Sequence, residues 1–324
     1  MSTADRPRIR NLLAFCGVAI TEEMALGLGA GPSFYYLVLD RGSPSRFTNG
    51  RVQRLEELFI ELTRPGLRLE SFPGPRESWA AARATVDAGR PALLLTDLYH
   101  LDHYGSSARF PGHAVVLAGY DAEVAYLSDT GFEELQTTRL ENLASARHGD
   151  LPLAPLSGEM VTLPAGVKAT DPRTAAPRAI ARAAAGMIDP ELGEYQGLPA
   201  LRRFAAEVGS WPAEAPDWQW SARFCYQVIE RRGTGGGNFR AMYSRFLDEV
   251  AEAGIAPVGG AVTPAAEAAQ RWSELAARLL AASEEERPSA ELWEPVADAA
   301  AAVLAAEERL WLELASAGEP ALRP

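Results

Sequence analysis

The sequence predicts an α+β domain built on an antiparallel sheet, followed by an all-α domain. Three observations carry that expectation. Ile9, Leu12, Leu13 and Cys16 fall at i, i+3, i+4 and i+7, the stripe of a helix that buries one face. Apolar runs at 91–96, 113–120 and 124–129 then read as strands, the last two joined by a turn at Tyr120, Asp121 and Ala122. Beyond residue 178 the periodicity is helical, and Phe239, Met242, Tyr243, Phe246, Leu247 and Val250 give the cleanest apolar face.

In chain order, the first helix leads into Gly27-Leu28-Gly29-Ala30-Gly31, a tight turn before a strand at 34–39. A second amphipathic helix spans 52–63, a short strand 67–72 and a third helix 77–88. The strand at 91–96 is buried, and the hairpin strands follow it. A helix at 138–147 closes a first domain of residues 1–150. Residues 151–178, rich in Pro, Ala, Gly and Thr, read as a linker with one strand at 160–163. The helical domain, 179–324, carries helices at 198–208, 221–232, 239–253, 264–282 and 290–317. Pro264 and Pro288 suit helix starts.

The chain has 324 residues and a formal net charge of −12, with Lys168 its only lysine. That balance argues against nucleic acid or an anionic membrane as partner, since both need clustered cations. Its two cysteines, Cys16 and Cys225, have neither metal-site nor redox-motif spacing. Cys16 is expected in the core. A reducing cytoplasm fits. Arg6, Arg8 and Arg10 precede an apolar run at 12–20, but the run is short and ends at Thr21-Glu22-Glu23, so it reads as a buried helix and not as a leader. No stretch reaches the ~20 apolar residues of a membrane span.

The strongest chemical feature is His113, which opens an apolar strand. If the hairpin centres on Asp121, His113 lies opposite Asp129, with Cβ atoms about 5 Å apart on one sheet face. A carboxylate there would hold one imidazole nitrogen and fix the tautomer of the other, the arrangement of a general base and its orienter. Other clusters are weaker. Gly27, Gly29 and Gly31 follow a helix and precede a strand, the reverse of a dinucleotide-binding turn. His100 and His103, with Asp97, suggest metal ligands, but in a loop with no helical spacing; no metal and no cofactor are expected. His148 reads as solvated, and Glu22 and Glu23 as surface. Gly233, Gly235, Gly236 and Gly237 precede Arg240 at a helix start. They read as a demanding turn, or as a ligand contact with backbone amides and Arg240 facing an anion in a cleft between the domains.

These residues together resemble a two-domain family typified by the butirosin biosynthesis protein H. The matching features are Ile9-Arg10-Asn11-Leu12-Leu13, Gly17, Thr21-Glu22, Gly27 to Gly31, Gly112-His113, Gly119-Tyr120-Asp121 and Asp129. In the helical part they are Gly197-Leu198, Leu201, Phe204-Ala205 and the Gly233 to Arg240 signature. The resemblance implies a papain-like, cysteine-peptidase-like N-terminal domain with His113 and Asp129 catalytic. It makes Glu22, Gly29, Gly235, Gly236 and Arg240 substrate contacts. It also implies transfer of an acyl group from a carrier-protein thioester, through a cysteine, to an amine of a natural product. That cysteine falls at Ala4, give or take a residue, and Thr3 and Asp5 supply no thiol either. Pro7 still suits the first turn of a helix. Three readings stay open: noncovalent acyl transfer or cyclisation with His113 as base, on a carrier-bound or small acyl substrate; a catalytically silent binding or scaffold protein; or a start that displaces the cysteine. Oligomeric state is not legible.

Overall fold

The computed structural model describes residues 9–106, 109, 111–129, 132–149, 155–166, 171–287 and 289–318. Its first half contains α1 (Ile9–Phe15), α2 (Glu22–Leu28), β1 (Pro32–Val38), β2 (Arg46–Arg51), α3 (Leu55–Thr63), β3 (Arg68–Glu70) and α4 (Pro75–Asp87). There follow β4 (Ala92–Asp97), β5 (Pro111–Tyr120), β6 (Val124–Ser128), β7 (Gln136–Arg139), α5 (Leu140–Arg147), β8 (His148–Gly149), β9 (Leu156–Ser157) and β10 (Met160–Thr162). The remainder is helical: α6 (Ala176–Ile188), α7 (Gly197–Glu207), α8 (Trp211–Glu214), α9 (Trp218–Glu230), α10 (Arg240–Glu252), α11 (Gly259–Glu284) and α12 (Ala290–Gly318). The architecture is the expected α+β class, antiparallel strands first and helices after. The chain divides into two compact units, and each is interrupted in sequence. One comprises Met1–Ala25 with Glu56–Pro172, the other Leu26–Leu55 with Arg173–Pro324.

The first unit is built on a six-stranded sheet of order β3-β10-β4-β5-β6-β7, antiparallel throughout. The strand read at 160–163 is β10, and it inserts between β3 and β4. Ala92, Leu94, Val115, Leu117, Ala125, Leu127 and Met160 share one core with Ala82 of α4 and with Leu143 and Ala146 of α5. Each buried Leu or Val there contributes about 1.5–3 kcal/mol. In α1, Ile9, Leu12 and Leu13 are buried as the stripe predicts, but Cys16 is only half-buried. The helix stops at Phe15. Gly17, at φ +80°, closes it, with N–H groups of Gly17 and Val18 donating to Ala14 O at 3.0 Å and Leu13 O at 2.9 Å. Cys16 therefore caps the helix and does not extend its apolar face.

The second unit contains the β1–β2 ribbon, packed on α7 and α9, and the long helices α10, α11 and α12. The glycines at 27–31 pack this unit tightly. A Cβ on Gly27 would meet the Phe246 ring at 2.2 Å, one on Gly29 the Leu55 side chain at 2.5 Å, and one on Gly31 Leu26 at 2.3 Å. Among the described residues no helix is long and apolar enough to cross a membrane.

Candidate functional site

His113 owes its position to a bulge. Its backbone pairs with Thr96 of β4, and the next pair is Asp97 with Pro111, so Gly112 is the extra residue. Gly112 has φ +82°, a left-handed conformation that glycine adopts without the Cβ clash of other residues. The Thr96 hydroxyl donates to the His113 carbonyl at 2.8 Å and locks the strand end. Strand alternation then puts the imidazole on the face that carries Val115 and Leu117, the core face.

Asp129 follows β6 immediately. The register differs from the simple hairpin count. Val116 pairs with Ser128 and Leu117 with Leu127, and a second bulge precedes the pair Gly119–Tyr126. Asp129 is therefore a diagonal neighbour of His113, two residues short of directly opposite. Diagonal positions keep the same face, and the side chains meet: His113 Nε2 lies 2.8 Å from Asp129 Oδ2. Both residues are buried, with 1% and 2% exposure.

A second imidazole completes the cluster. His103 Nε2 is 3.2 Å from the same Asp129 oxygen, and its Nδ1 is 3.3 Å from the Thr138 hydroxyl of β7. The Tyr104 and Phe132 rings enclose it. Tyr104 lies edge-on to His113 at 5.2 Å, and Phe132 edge-on to His103 at the same distance. His103 had figured in the sequence only as a metal candidate beside His100 and Asp97. Among the described residues no group of three or more His, Cys, Asp or Glu side chains is placed to hold a metal ion. His100 instead packs against Tyr99, and buried Asp97 takes a 2.5 Å hydrogen bond from Arg109 Nε. Nothing in sequence periodicity links His103 to Asp129; only the sheet brings them together.

The other candidates have different surroundings. Glu22 opens α2 and receives a 2.9 Å hydrogen bond from Arg10 Nη1. Gly29, Gly235, Gly236 and Arg240 belong to the second unit. Leu55 fills the space beside Gly29, which makes that glycine a packing contact. In the glycine-rich loop, residues 235–239 all have positive φ, a left-handed run that explains the glycines; Asn238 at +56° and Phe239 at +69° accept the strain. The anion at this loop is the chain's own Glu230, whose Oε1 accepts from Gly237 N at 3.2 Å and from the Ser273 hydroxyl at 2.6 Å. Gly236 N donates to the Thr234 hydroxyl at 3.1 Å. Of the two readings of Gly235, Gly236 and Arg240, demanding turn or ligand contact, these bonds favour the turn. Arg240 is fully buried, and its guanidinium is spent inside the unit. Nε donates to Glu307 at 2.7 Å, Nη2 to the same carboxylate at 3.1 Å, and Nη1 to the carbonyls of Ser33, Gly50 and Asn238 at 2.9, 3.0 and 2.9 Å. Trp272 and Trp311 donate their indole N–H groups to Glu307 at 2.6 and 2.5 Å. A cavity of about 430 Å³ in this unit is lined by Arg223, Tyr226, Arg231 and Arg232, and none of the expected site residues borders it.

Neither cysteine is set up as a nucleophile. Burial pushes the Cys225 thiol up to about 12, and burial also raises Cys16, which donates to Leu12 O at 3.1 Å. Only the thiolate attacks, so raised values suppress reactivity. His148, expected in solvent, is half-buried, with Nε2 2.9 Å from the Ser78 hydroxyl. Burial, and then the Arg147 charge beside it, lowers its pKa.

The comparisons with known proteins agree with the motifs. The family model for the N-terminal domain of butirosin biosynthesis protein H matches residues 5–130, and that for a domain of unknown function, DUF4872, matches residues 141–314. The DUF4872 model spans more than half of the chain, which therefore belongs to that family; its N-terminal part is similar to the N-terminal domain of butirosin biosynthesis protein H. No curated protein matches the chain. His113 and Asp129 fall within the region matched by the first model, and the left-handed loop with Arg240 within that matched by the second. Ala4, where the resemblance puts the family cysteine, lies outside the described residues with Thr3, Asp5 and Pro7.

Proposed function

We propose that this protein is an acyl-transfer or cyclising enzyme of natural-product biosynthesis, with His113 as general base and a carrier-bound or small acyl thioester as substrate. The contact of His113 Nε2 with Asp129 carries the reading. A carboxylate that accepts from Nε2–H leaves the imidazole lone pair on Nδ1 and stabilises the imidazolium once Nδ1 takes a proton. The proton comes from the attacking amine or hydroxyl. A C–N or C–O bond forms at the acyl carbon, the C–S bond breaks, and the imidazolium returns its proton to the departing thiolate. The raised thiols of Cys16 and Cys225 favour direct attack over a cysteinyl intermediate. A cysteine-peptidase-like N-terminal fold suits a leading helix followed by an antiparallel sheet with histidine and aspartate on adjacent strand ends. The second reading, a catalytically silent binding protein, draws support from one observation, the near-complete burial of both side chains.

The test is incubation with an acyl thioester and an amine acceptor, followed by product quantitation and intact-protein mass. The base reading predicts product, an unmodified protein mass, and a 10²–10⁴-fold loss in His113→Ala. Turnover in that variant within about twofold of the parent would reject it. Thioester binding that survives the substitution, with no product from either protein, would establish the silent reading instead.

A further inference from the structure

His103 is the buried titratable group next to the site that neither the motifs nor the family match assigns a task. Its side chain is 5% exposed and touches the same carboxylate oxygen as His113. Hydrogen-bond logic fixes the proton positions of a neutral pair. Asp129, ionised, only accepts, so both Nε2 atoms carry protons toward it; Nδ1 of His103 then accepts from the Thr138 hydroxyl. The result is a chain of bonds across neighbouring strands, from Thr138 of β7 through His103 to Asp129 after β6, and on to His113 of β5. A carboxylate oxygen held between two N–H donors cannot rotate away from either without losing a buried hydrogen bond.

We propose that His103 is a positioning residue for His113, acting through the carboxylate they share. The inference rests on the base role given to His113 above. A single negative charge shared by two imidazoles favours one imidazolium and opposes a second. Among the described residues, ionisable groups around His113 include Asp129, His103 and Tyr104, with the Asp97–Arg109 ion pair next along β4 after Thr96. Removing His103 withdraws a donor from Asp129 and a competing proton site from the cluster. Both changes leave more of the carboxylate charge to His113 and favour its protonated form.

The chain has four histidines, so their ring resonances are readily resolved by NMR and assigned with single His→Gln variants. The experiment follows the His113 titration in the full-length protein. His103→Phe is expected to raise the His113 midpoint by about half a unit or more, and His103→Gln, which keeps an N–H donor, by less. Thr138→Val, which releases Nδ1 of His103, is expected to shift the midpoint the same way and serves if the phenylalanine variant does not fold. A His113 midpoint unmoved within about 0.1 unit in the folded variants overturns the proposal. The two readings fail separately. Full turnover in His113→Ala removes the base role, whereas loss of turnover there with an unmoved midpoint in the His103 and Thr138 variants removes this inference alone.

Discussion

Arg240→Met puts a magnitude on the structural reading of the glycine-rich signature. The substitution keeps the length of the side chain and removes its charge. Glu307 would remain fully buried, with the indole N–H groups of Trp272 and Trp311 as its partners among the described residues, and three buried carbonyls would lose their shared donor. Removing one member of a buried ion pair costs about 3–5 kcal/mol, because the other charge stays buried without compensation. For a unit of this size that is a fall in Tm of about 6–20 °C. Six of the seven tryptophans lie in the second unit, so tryptophan fluorescence during a thermal melt reports on it. Adding Glu307→Gln removes the stranded charge and keeps an oxygen for the indoles, so the double variant is expected to recover a large part of the loss. A ligand-binding arginine behaves differently. An Arg240→Met protein melting within about 2 °C of the parent would refute the structural reading.

Further predictions concern the first unit and the thiols. Gly112→Ala puts a Cβ on a residue at φ +82°, which costs about 1–2 kcal/mol and turns His113 from its partner; denaturant unfolding shows the first effect and a changed His113 ring shift the second. Cys225 is expected to resist an alkylating reagent in the native protein and react only on unfolding, with Cys16 slow, as peptide mapping by mass would show; rapid native labelling of Cys225 would contradict its raised pKa. His148 gives a pH dependence. Its folded pKa lies below the ordinary 6.5, so between those values the unfolded chain binds more protons. Its contribution is complete above 6.5 and is lost as pH falls through the folded value, so Tm should fall less steeply on acidification in His148→Gln than in the parent.

Legibility in the sequence followed the physics of each segment. Amphipathic segments such as α4 and α10 could be read, because one apolar face meets one core. Strand β2 could not, because its buried face is Arg46, Thr48 and Gly50, polar or without a side chain, and alternation reads it inside out. Helix α6 was not read, in the alanine-rich stretch between the linker and the first expected helix at 198–208, yet Ala179, Ile180, Ala183, Ala184 and Met187 form its buried stripe. The meeting of His113 and Asp129 was legible because a one-sided hairpin constrains the face, although two bulges moved the register. His103 was not legible, since its partner is fixed by tertiary placement alone. The partner of Arg240 was not legible, because a cation beside glycines at a helix start resembles an anion site and the buried Glu307 that pairs with it comes from a helix far along the chain.

The most direct test of the account is the nitrogen chemistry of His113 at neutral pH, read by long-range ¹⁵N–¹H correlation on the intact protein. The account predicts the proton on Nε2 and a lone pair on Nδ1, with that balance disturbed in Asp129→Asn. A proton settled on Nδ1, or a His113 signal indifferent to the Asp129 substitution, would contradict it.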